Sequence, residues 1–229
     1  MNFAESFRTA LGMIWSLDRE VYSAVWTSVS VAAWSTLLAG LAGIPIGVAV
    51  EKGIFPLKRA AITLLNTLMA LPTVVVGLVV YGFLSRVGPF GRFGLLFTPQ
   101  AIIIGETVLA IPIVANYTLS TVKGADFRIV PTALTLGATP LQSMVQLMRE
   151  VRFGVMAAVI AGFGRVIAEV GIAMMLGGNI RWYTRTMTTA IALETSKGEF
   201  AFGLALGIVL MAVALVINFC LNFMQQSRP

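Results

Sequence analysis

The chain has 229 residues, of which 58% are hydrophobic and 11% charged, and its mean hydropathy is +0.90. Soluble domains carry about a quarter of their residues as charged side chains, so this composition excludes an ordinary soluble protein and indicates one solvated mainly by lipid. The net charge of +6 and the lack of a basic stripe with interleaved aromatics give no indication of nucleic-acid binding. There is no His, and the one cysteine, Cys220, is interpreted as a small buried hydrophobe, so no metal site is expected.

Apolar residues at helical spacing near the N-terminus, Phe3, Phe7, Leu11 and Ile14, predict a short amphipathic helix lying in the membrane interface within residues 1–22. The alternative is a loose tail packed on the remaining helices.

Long apolar runs predict an all-α membrane protein, because only helices or closed barrels satisfy the backbone in lipid and barrel strands would show short alternating segments. Each run is long enough to span a bilayer as a helix. Five transmembrane helices are predicted, at about 28–50, 60–84, 99–122, 153–176 and 200–223. Pro45, Pro72 and Pro112 lie inside the first three runs and predict bent helices around a pathway, since proline removes a helix hydrogen bond. The alternative is the ordinary proline that membrane helices commonly contain.

Four polar residues within the predicted spans are candidates for a transport pathway or gate. Arg165 and Glu169 are four residues apart, so they share a helix face and are expected to pair, either as a gate or as a structural pair closing the bundle. Glu106 has no partner nearby in sequence and is expected near an interface, protonated, or paired across helices. Asn116 offers an amide either to the pathway or to an interhelical hydrogen bond.

The polar segment 123–152 contains a full set of helix stop and start signals. Gly137 suits the position after a helix end, where φ is often positive. Thr139, Pro140 and Gln142 suit the N-cap, the first helical position and the reciprocal capping position of a second helix. The segment is therefore predicted to form a rigid helix–elbow–helix knuckle rather than a loose loop.

The core of this segment, Ala133-x-x-Leu136-Gly137-Ala138 followed by Thr139, resembles the EAA loop of the permease subunits of binding-protein-dependent ABC importers. The family's initial Glu is absent, and Arg149-Glu150 stands where the family has Leu-Pro. The resemblance continues through 162–171 and through Gly177-Gly-Asn-Ile180, as in molybdate and sulfate permeases, and the segment 183–200 is most similar to the tungstate branch.

This resemblance implies a type I importer permease (MetI-like) fold with about five transmembrane helices per subunit and one transmembrane domain over residues 1–229. It further implies a homodimer in the cell (inner) membrane that imports tungstate or a related tetrahedral oxyanion. An extracytoplasmic binding protein would deliver the anion. Two separate ATP-binding cassette subunits, which carry ATP and Mg, would grip the coupling loop at Ala133, Leu136, Gly137, Ala138 and Thr139.

The chain itself has no phosphate-binding loop, so no ATP hydrolysis, catalytic residue or bound cofactor is expected in it. Its basic residues divide almost evenly between the two sides, so the cytoplasmic placement of the knuckle rests on the resemblance. Arg86, Arg92, Arg181 and Arg185 then fall outside, where they anchor the chain in the interface or attract anions and acidic partners. The alternative functions are an ion-coupled secondary anion carrier using Glu106, Arg165 and Glu169, and an intramembrane enzyme, which the absence of His and of a nucleophile motif disfavours.

Overall fold

The computed structural model describes residues 3–226, with side chains at 4–217 and 219. The side chain of Cys220 lies outside the described residues. Eleven α-helices occur in the described part of the chain: α1 Phe3–Trp15, α2 Arg19–Lys52, α3 Lys58–Met69, α4 Thr73–Leu84, α5 Pro99–Lys123, α6 Ile129–Thr135, α7 Pro140–Glu150, α8 Arg152–Ile167, α9 Gly171–Gly177, α10 Met187–Lys197 and α11 Phe200–Gln226.

Three of these helices, α2, α5 and α11, are long and apolar enough to cross a membrane, and the number rises to five when each bent helix pair is taken as one span. The bent pairs are α3 with α4, at 98°, and α8 with α9, at 62°. The prediction of about five spans is confirmed, and the helices occur where the apolar runs indicated. The second and fourth spans, predicted as continuous, are each broken in two.

The break in the second span occurs at a proline. Helix α3 ends at Met69, and Pro72 takes the N-cap position of α4 in an extended conformation. Proline has no N–H to donate and disfavours the α conformation in the residue before it, so the helix stops there. Pro45 and Pro112, by contrast, lie within the uninterrupted helices α2 and α5. Only one of the three prolines therefore separates two helices.

The break in the fourth span contains no proline and comes from a side chain. The Glu169 Oε1 atom accepts hydrogen bonds from the backbone N–H groups of Gly171, at 3.0 Å, and Ile172, at 3.4 Å. A side-chain oxygen thus replaces the helix carbonyls at the start of α9, as an N-cap residue does. The Glu169 carbonyl in turn accepts the Thr188 hydroxyl at 2.7 Å, so α10 supports the break from outside the span.

Helices α2 and α5 form the centre of the fold, and glycines bring them together. A Cβ atom on Gly47 would lie 2.4 Å from the Ala115 carbonyl oxygen, and one on Gly43 would lie 3.0 Å from the Ile111 carbonyl oxygen. Small residues four apart allow such backbone contact between membrane helices. Gly43 and Gly47, which are four residues apart, therefore bring α2 against α5 within this chain.

The N-terminal helix is shorter than the predicted 1–22 interfacial segment. Helix α1 ends at Trp15, and Asp18 caps α2, its carboxylate accepting the Glu20 N–H at 2.9 Å. Residues 19–22 therefore belong to the first span. Helix α1 packs against α11 with its buried Ala10, while Leu11 and Trp15 face outward. Helix α1 therefore has features of both predicted alternatives: it is a regular helix, and it packs on the remaining helices.

Candidate functional site

The elbow between α6 and α7 has the hydrogen bonds of a Schellman motif. Gly137 has φ +88°, its N–H donates to the Leu134 carbonyl at 3.0 Å, and the Ala138 N–H donates to the Ala133 carbonyl at 3.0 Å. These bonds satisfy carbonyls that the end of α6 would otherwise leave unpaired. The turn at Gly137 therefore has a fixed conformation, as the sequence predicts.

Helix α7 starts with the predicted capping box. The Thr139 hydroxyl accepts the Gln142 N–H at 3.3 Å, the Gln142 side-chain oxygen accepts the Thr139 N–H at 2.8 Å, and Pro140 is the first helical residue. Two otherwise unpaired donors are satisfied reciprocally. The start of α7 is thereby fixed relative to Gly137.

The knuckle is joined rigidly to the membrane spans. Helix α7 ends at Glu150, and the single residue Val151 separates it from α8. Leu147 is fully buried, and it packs in one apolar cluster with Val151, Val122 of α5 and Val155 of α8. A displacement of α7 must therefore move α8 and α5, because a close-packed core transmits strain. Arg149-Glu150, where the motif departs from the family pattern, still ends a regular helix.

The outer face of the knuckle exposes apolar side chains around a shallow groove of about 490 Å³. Leu136 is 82% exposed and Leu141 is 76% exposed. Isolated exposed leucines are common, but a contiguous apolar groove with a polar rim is typical of a protein interaction site. The residues that line it are Ala133, Leu136, Ala138, Leu141, Gln142, Val145, Gln146 and Arg149.

An exposed ion pair precedes the knuckle, between α5 and α6. The Asp126 carboxylate accepts the Arg128 backbone N–H at 2.9 Å and lies 3.0 Å from its guanidinium nitrogen. Hydrogen bonding from Arg128 lowers the pKa of Asp126 below its ordinary value, and the same contact raises the pKa of Arg128. The pair fixes the first turn of this segment, although exposed pairs contribute little to stability.

Arg165 and Glu169 form the pair that their spacing predicts, with 2.7 Å between Arg165 Nη1 and Glu169 Oε2. The Glu169 side chain is 3% exposed and the Arg165 side chain 41% exposed. One Glu169 oxygen meets the guanidinium and the other caps α9. The pair therefore fixes the bend of the fourth span, and Arg165 also presents part of its charge at the surface of the chain.

Glu106 and Asn116 both find their partners across helices. The Ser35 hydroxyl of α2 donates to Glu106 Oε2 at 3.2 Å, and Glu106 is 3% exposed. The Asn116 side-chain amide donates to the Asn66 side-chain oxygen of α3. Neither Glu106 nor Asn116 contacts the Arg165–Glu169 pair by a hydrogen bond, so the four candidates do not form one site within this chain.

Two of the outer arginines belong to an ion-pair network. Arg185 Nη1 lies 2.8 Å from a Glu20 oxygen and 3.4 Å from a Glu194 oxygen, and Arg181 also pairs with Glu20. Lys197 lies 3.0 Å from the same Glu194 oxygen. Glu20 and Glu194 offset two of the three positive charges in this network, which weakens the interpretation of Arg181 and Arg185 as attractors for a dianion. Their main effect is to fasten α10 to the start of α2.

Sequence reasoning missed the partner residues Ser35, Asn66 and Glu20. They lie far along the chain from the residues they contact, so no local spacing indicated them. The polar character of Asn66 inside an apolar run was the one available signal. Among the described residues, no three His, Cys, Asp or Glu side chains come together as a metal site would require.

Comparison of the sequence with known proteins gives matches over almost its whole length. The tungstate uptake system permease protein of Campylobacter jejuni is 40% identical over 219 residues, covering 96% of this chain and 90% of the relative. The protein of the same name from Peptoclostridium acidaminophilum is 39% identical over 224 residues, covering 98% of each chain. A probable anion ABC transporter permease protein of Haloferax volcanii is 41% identical over 83% of this chain and 84% of its own. No protein-family model matches the chain.

Solved structures with the same fold are membrane subunits of importers. The inward-facing methionine ABC transporter superposes with a TM-score of 0.75 at 20% identity, covering 94% of this chain and 97% of its own. A bacterial alginate ABC transporter, solved with a periplasmic protein carrying an alginate pentasaccharide, gives a TM-score of 0.71 at 19% identity and covers 90% of this chain and 78% of its own. At these identities the structural likeness establishes the fold alone.

Proposed function

Since this chain belongs to the family of ABC importer permeases, we propose that it is the multi-pass membrane subunit through which tungstate, or a related tetrahedral oxyanion, enters the cell. The observation that carries the choice of anion is the pair of tungstate uptake permeases at 39% and 40% identity over nearly the full chain. The subunit acts as a homodimer in the inner membrane. An extracytoplasmic binding protein delivers the anion to its outer face.

The knuckle is the part through which ATP-driven motion reaches the spans. Two copies of a separate ATP-binding cassette subunit, which hold ATP and Mg, receive the apolar groove around Leu136 and Leu141. Closing of these subunits moves α7 as a rigid body, because the capping box and the Gly137 elbow leave it no flexible joint. The Leu147 and Val151 contacts then pass the movement to α5 and α8.

The bent spans supply the second element of such a mechanism. The breaks of the second and fourth spans lie side by side, since a Cβ atom on Gly171 would be 3.5 Å from the Thr73 hydroxyl oxygen and 3.3 Å from a Glu169 oxygen. Helix termini absorb large changes in φ and ψ, so adjacent breaks give a natural hinge. Arg165 and Glu169 then act as positioning residues that hold the hinge.

The test is uptake by the reconstituted complex of this chain, its ATPase subunit and its binding protein in proteoliposomes. Tungstate uptake should require ATP on the cytoplasmic side and loaded binding protein on the other. The competing ion-coupled carrier predicts uptake by the chain alone, driven by an ion gradient. Uptake under that second condition, or the absence of ATP-driven uptake of tungstate, molybdate and sulfate alike, would refute the proposal.

A further inference from the structure

Polar side chains form two short rows on neighbouring helices at membrane depth. Together they are called the polar track here: Arg59, Thr63 and Asn66 on α3, and Asn116, Ser120 and Lys123 on α5. Five of these residues are exposed and Asn116 is half-exposed. Spacings of three or four residues at about 100° per residue keep each row within an arc of roughly 60°. Each row thus occupies one side of its helix.

The two rows lie on the same side of the contact between α3 and α5. That contact is apolar, with Ile62 and Leu65 packed against Ala115 and Leu119. The Asn66–Asn116 hydrogen bond, formed beside it, joins the rows at one end. From that point the order on each helix is the same: an amide, then a hydroxyl, then a cation.

The rows also lie at matching depths. Asn66 is eight residues from the start of α3 and Asn116 is seven from the end of α5, so at about 1.5 Å per residue both amides lie roughly 10–12 Å from the cytoplasmic helix ends. Lys58 of α3 pairs with Glu51 at the end of α2, and Val48 of α2 packs in one cluster with Val122 of α5. The cations Arg59 and Lys123 therefore lie at the same membrane surface.

Contact between the polar track and lipid is energetically unfavourable. The exposed faces of the other spans are apolar, as shown by Leu41 of α2, Leu78 of α4 and Leu215 of α11, which are 67%, 59% and 67% exposed. Polar side chains in hydrocarbon are costly and normally face protein or a water-filled cavity. Two polar side chains below the membrane surface on each of two adjoining helices, Thr63 and Asn66 on α3 and Asn116 and Ser120 on α5, indicate a surface that faces water or another protein rather than lipid.

The chemistry of the track suits an anion in transit. One hydrogen bond between two amides leaves further N–H groups on Asn66 and Asn116 without a partner, and within the described part of the chain neither Arg59 nor Lys123 has an ion-pair partner. The Thr63 hydroxyl donates to the Arg59 carbonyl at 3.0 Å, so the neutral donors are the two amides and the Ser120 hydroxyl, which replace part of an anion's hydration shell without holding it tightly. Cations at the mouth lower its energy there.

We propose that the polar track is the cytoplasmic half of the anion pathway, with the Asn66–Asn116 amides as a transient oxyanion-binding site and Arg59 and Lys123 as its exit. The proposal rests on the proposed function for the nature of the anion. It assigns specificity for an oxyanion to neutral donors on α3 and α5. The buried Glu106 and the paired outer arginines have no part in it.

Thiol labelling tests whether the track is wet. In the assembled complex, with Cys220 replaced by Ala, the variants Asn66→Cys and Ser120→Cys should react with a charged, membrane-impermeant thiol reagent. Leu64→Cys is the matched control, since Leu64 is also exposed on α3 but lies roughly 140° from Arg59 around the helix. Tungstate, compared with chloride at equal ionic strength, should slow the reaction at the track alone. No reaction at the track, equal reaction at Leu64→Cys, or no slowing by tungstate would each overturn the proposal.

Transport by substituted complexes tests the amides directly. Asn66→Leu combined with Asn116→Leu keeps the branched shape of each side chain but removes the donors. It should lower tungstate uptake about tenfold or more, the loss expected when a hydrogen bond to a charged ligand is removed. ATP hydrolysis stimulated by loaded binding protein should stay within about twofold, and Thr67→Val on the same helix should leave uptake unchanged. Unaltered uptake in the double variant refutes the track. Failure of the unsubstituted complex to transport tungstate, molybdate and sulfate refutes the proposed function instead, and the labelling result still decides whether the track is exposed to water.

Discussion

Replacing Gly137 isolates the contribution of the elbow from every other property of the knuckle. Gly137 has φ +88°, and a Cβ atom added there meets nothing within 4 Å, so Gly137→Ala introduces backbone strain without any steric contact. The left-handed region costs a residue with a Cβ about 1–2 kcal/mol. Gly94 is a matched control, because it has φ +59° and equally open surroundings but lies in the loop between α4 and α5, away from the knuckle.

The strain should appear as weaker coupling. In the assembly proposed above, a relaxed elbow must be forced back into its native turn when the ATPase subunit binds, so the free energy of association is reduced by the strain energy. A loss of about 1–2 kcal/mol corresponds to a factor of roughly 5–30. Gly137→Asn should lose less, because Asn tolerates this conformation, and Gly137→Val should lose more, because its side chain is β-branched.

The assay is titration of the reconstituted permease with its ATPase subunit, followed by ATP-driven uptake below saturation. Gly94→Ala should reduce the stability of the loop between α4 and α5 while leaving association intact. The reasoning fails if Gly137→Ala binds and transports like the unaltered chain. It also fails if Gly94→Ala weakens association equally, or if the Asn, Ala and Val variants show no graded loss.

Three further predictions concern packing, the broken span and pH. Gly47→Ala should lower the free energy of unfolding by about 1–3 kcal/mol, because its Cβ would overlap a backbone carbonyl of α5. Gly40→Ala is the control, since its Cβ would make an ordinary contact at 3.8 Å and should be tolerated. Thermal unfolding in detergent compares the two variants. Glu169→Ala should cost about 1–3 kcal/mol by leaving buried N–H groups unpaired, and Glu169→Gln should restore part of this in the same assay. The folded pKa of Asp126 is lowered, so its contribution to stability is present above the ordinary carboxyl pKa and disappears as the pH falls through the lowered value. Carboxyl carbon NMR should show Arg128→Gln moving this titration up towards about 3.9.

Each of these has a clear contrary result. Equal unfolding temperatures for Gly47→Ala and Gly40→Ala would mean that α2 and α5 are not in backbone contact. An Ala variant of Glu169 as stable as the Gln variant would remove the explanation for the second break. If Arg128→Gln leaves the pKa of Asp126 unchanged, the ion pair does not form in solution.

The knuckle illustrates what local chemistry can predict. Gly137, Thr139 and Gln142 act on residues at most four positions away, so their roles follow from sequence spacing alone, and the structure has the positive φ and both capping hydrogen bonds. The five spans could also be predicted from the sequence, because a run of about twenty apolar residues has no stable alternative to a helix in lipid. The pairing of Arg165 with Glu169 follows from the same short-range geometry.

The breaks within the spans could be predicted only in part from the sequence. Three prolines predicted three bends, and the second span stops before Pro72, whereas α2 and α5 are uninterrupted helices at Pro45 and Pro112. Neighbouring helices and local adjustment decide whether a membrane helix tolerates a proline. The break at Glu169 needed the Thr188 contact from α10, which no local spacing reveals.

By itself, the sequence determined the class of the protein, the approximate positions of its spans and the geometry of the knuckle, because these depend on hydrophobicity and on hydrogen bonds between near neighbours. The tertiary structure alone decided which polar residues within the spans meet. Ser35 faces Glu106, Asn66 faces Asn116 and Glu20 holds two outer arginines because helix packing brings distant segments together. The polar track on α3 and α5 became visible only once the side of each helix that faces away from the core was known.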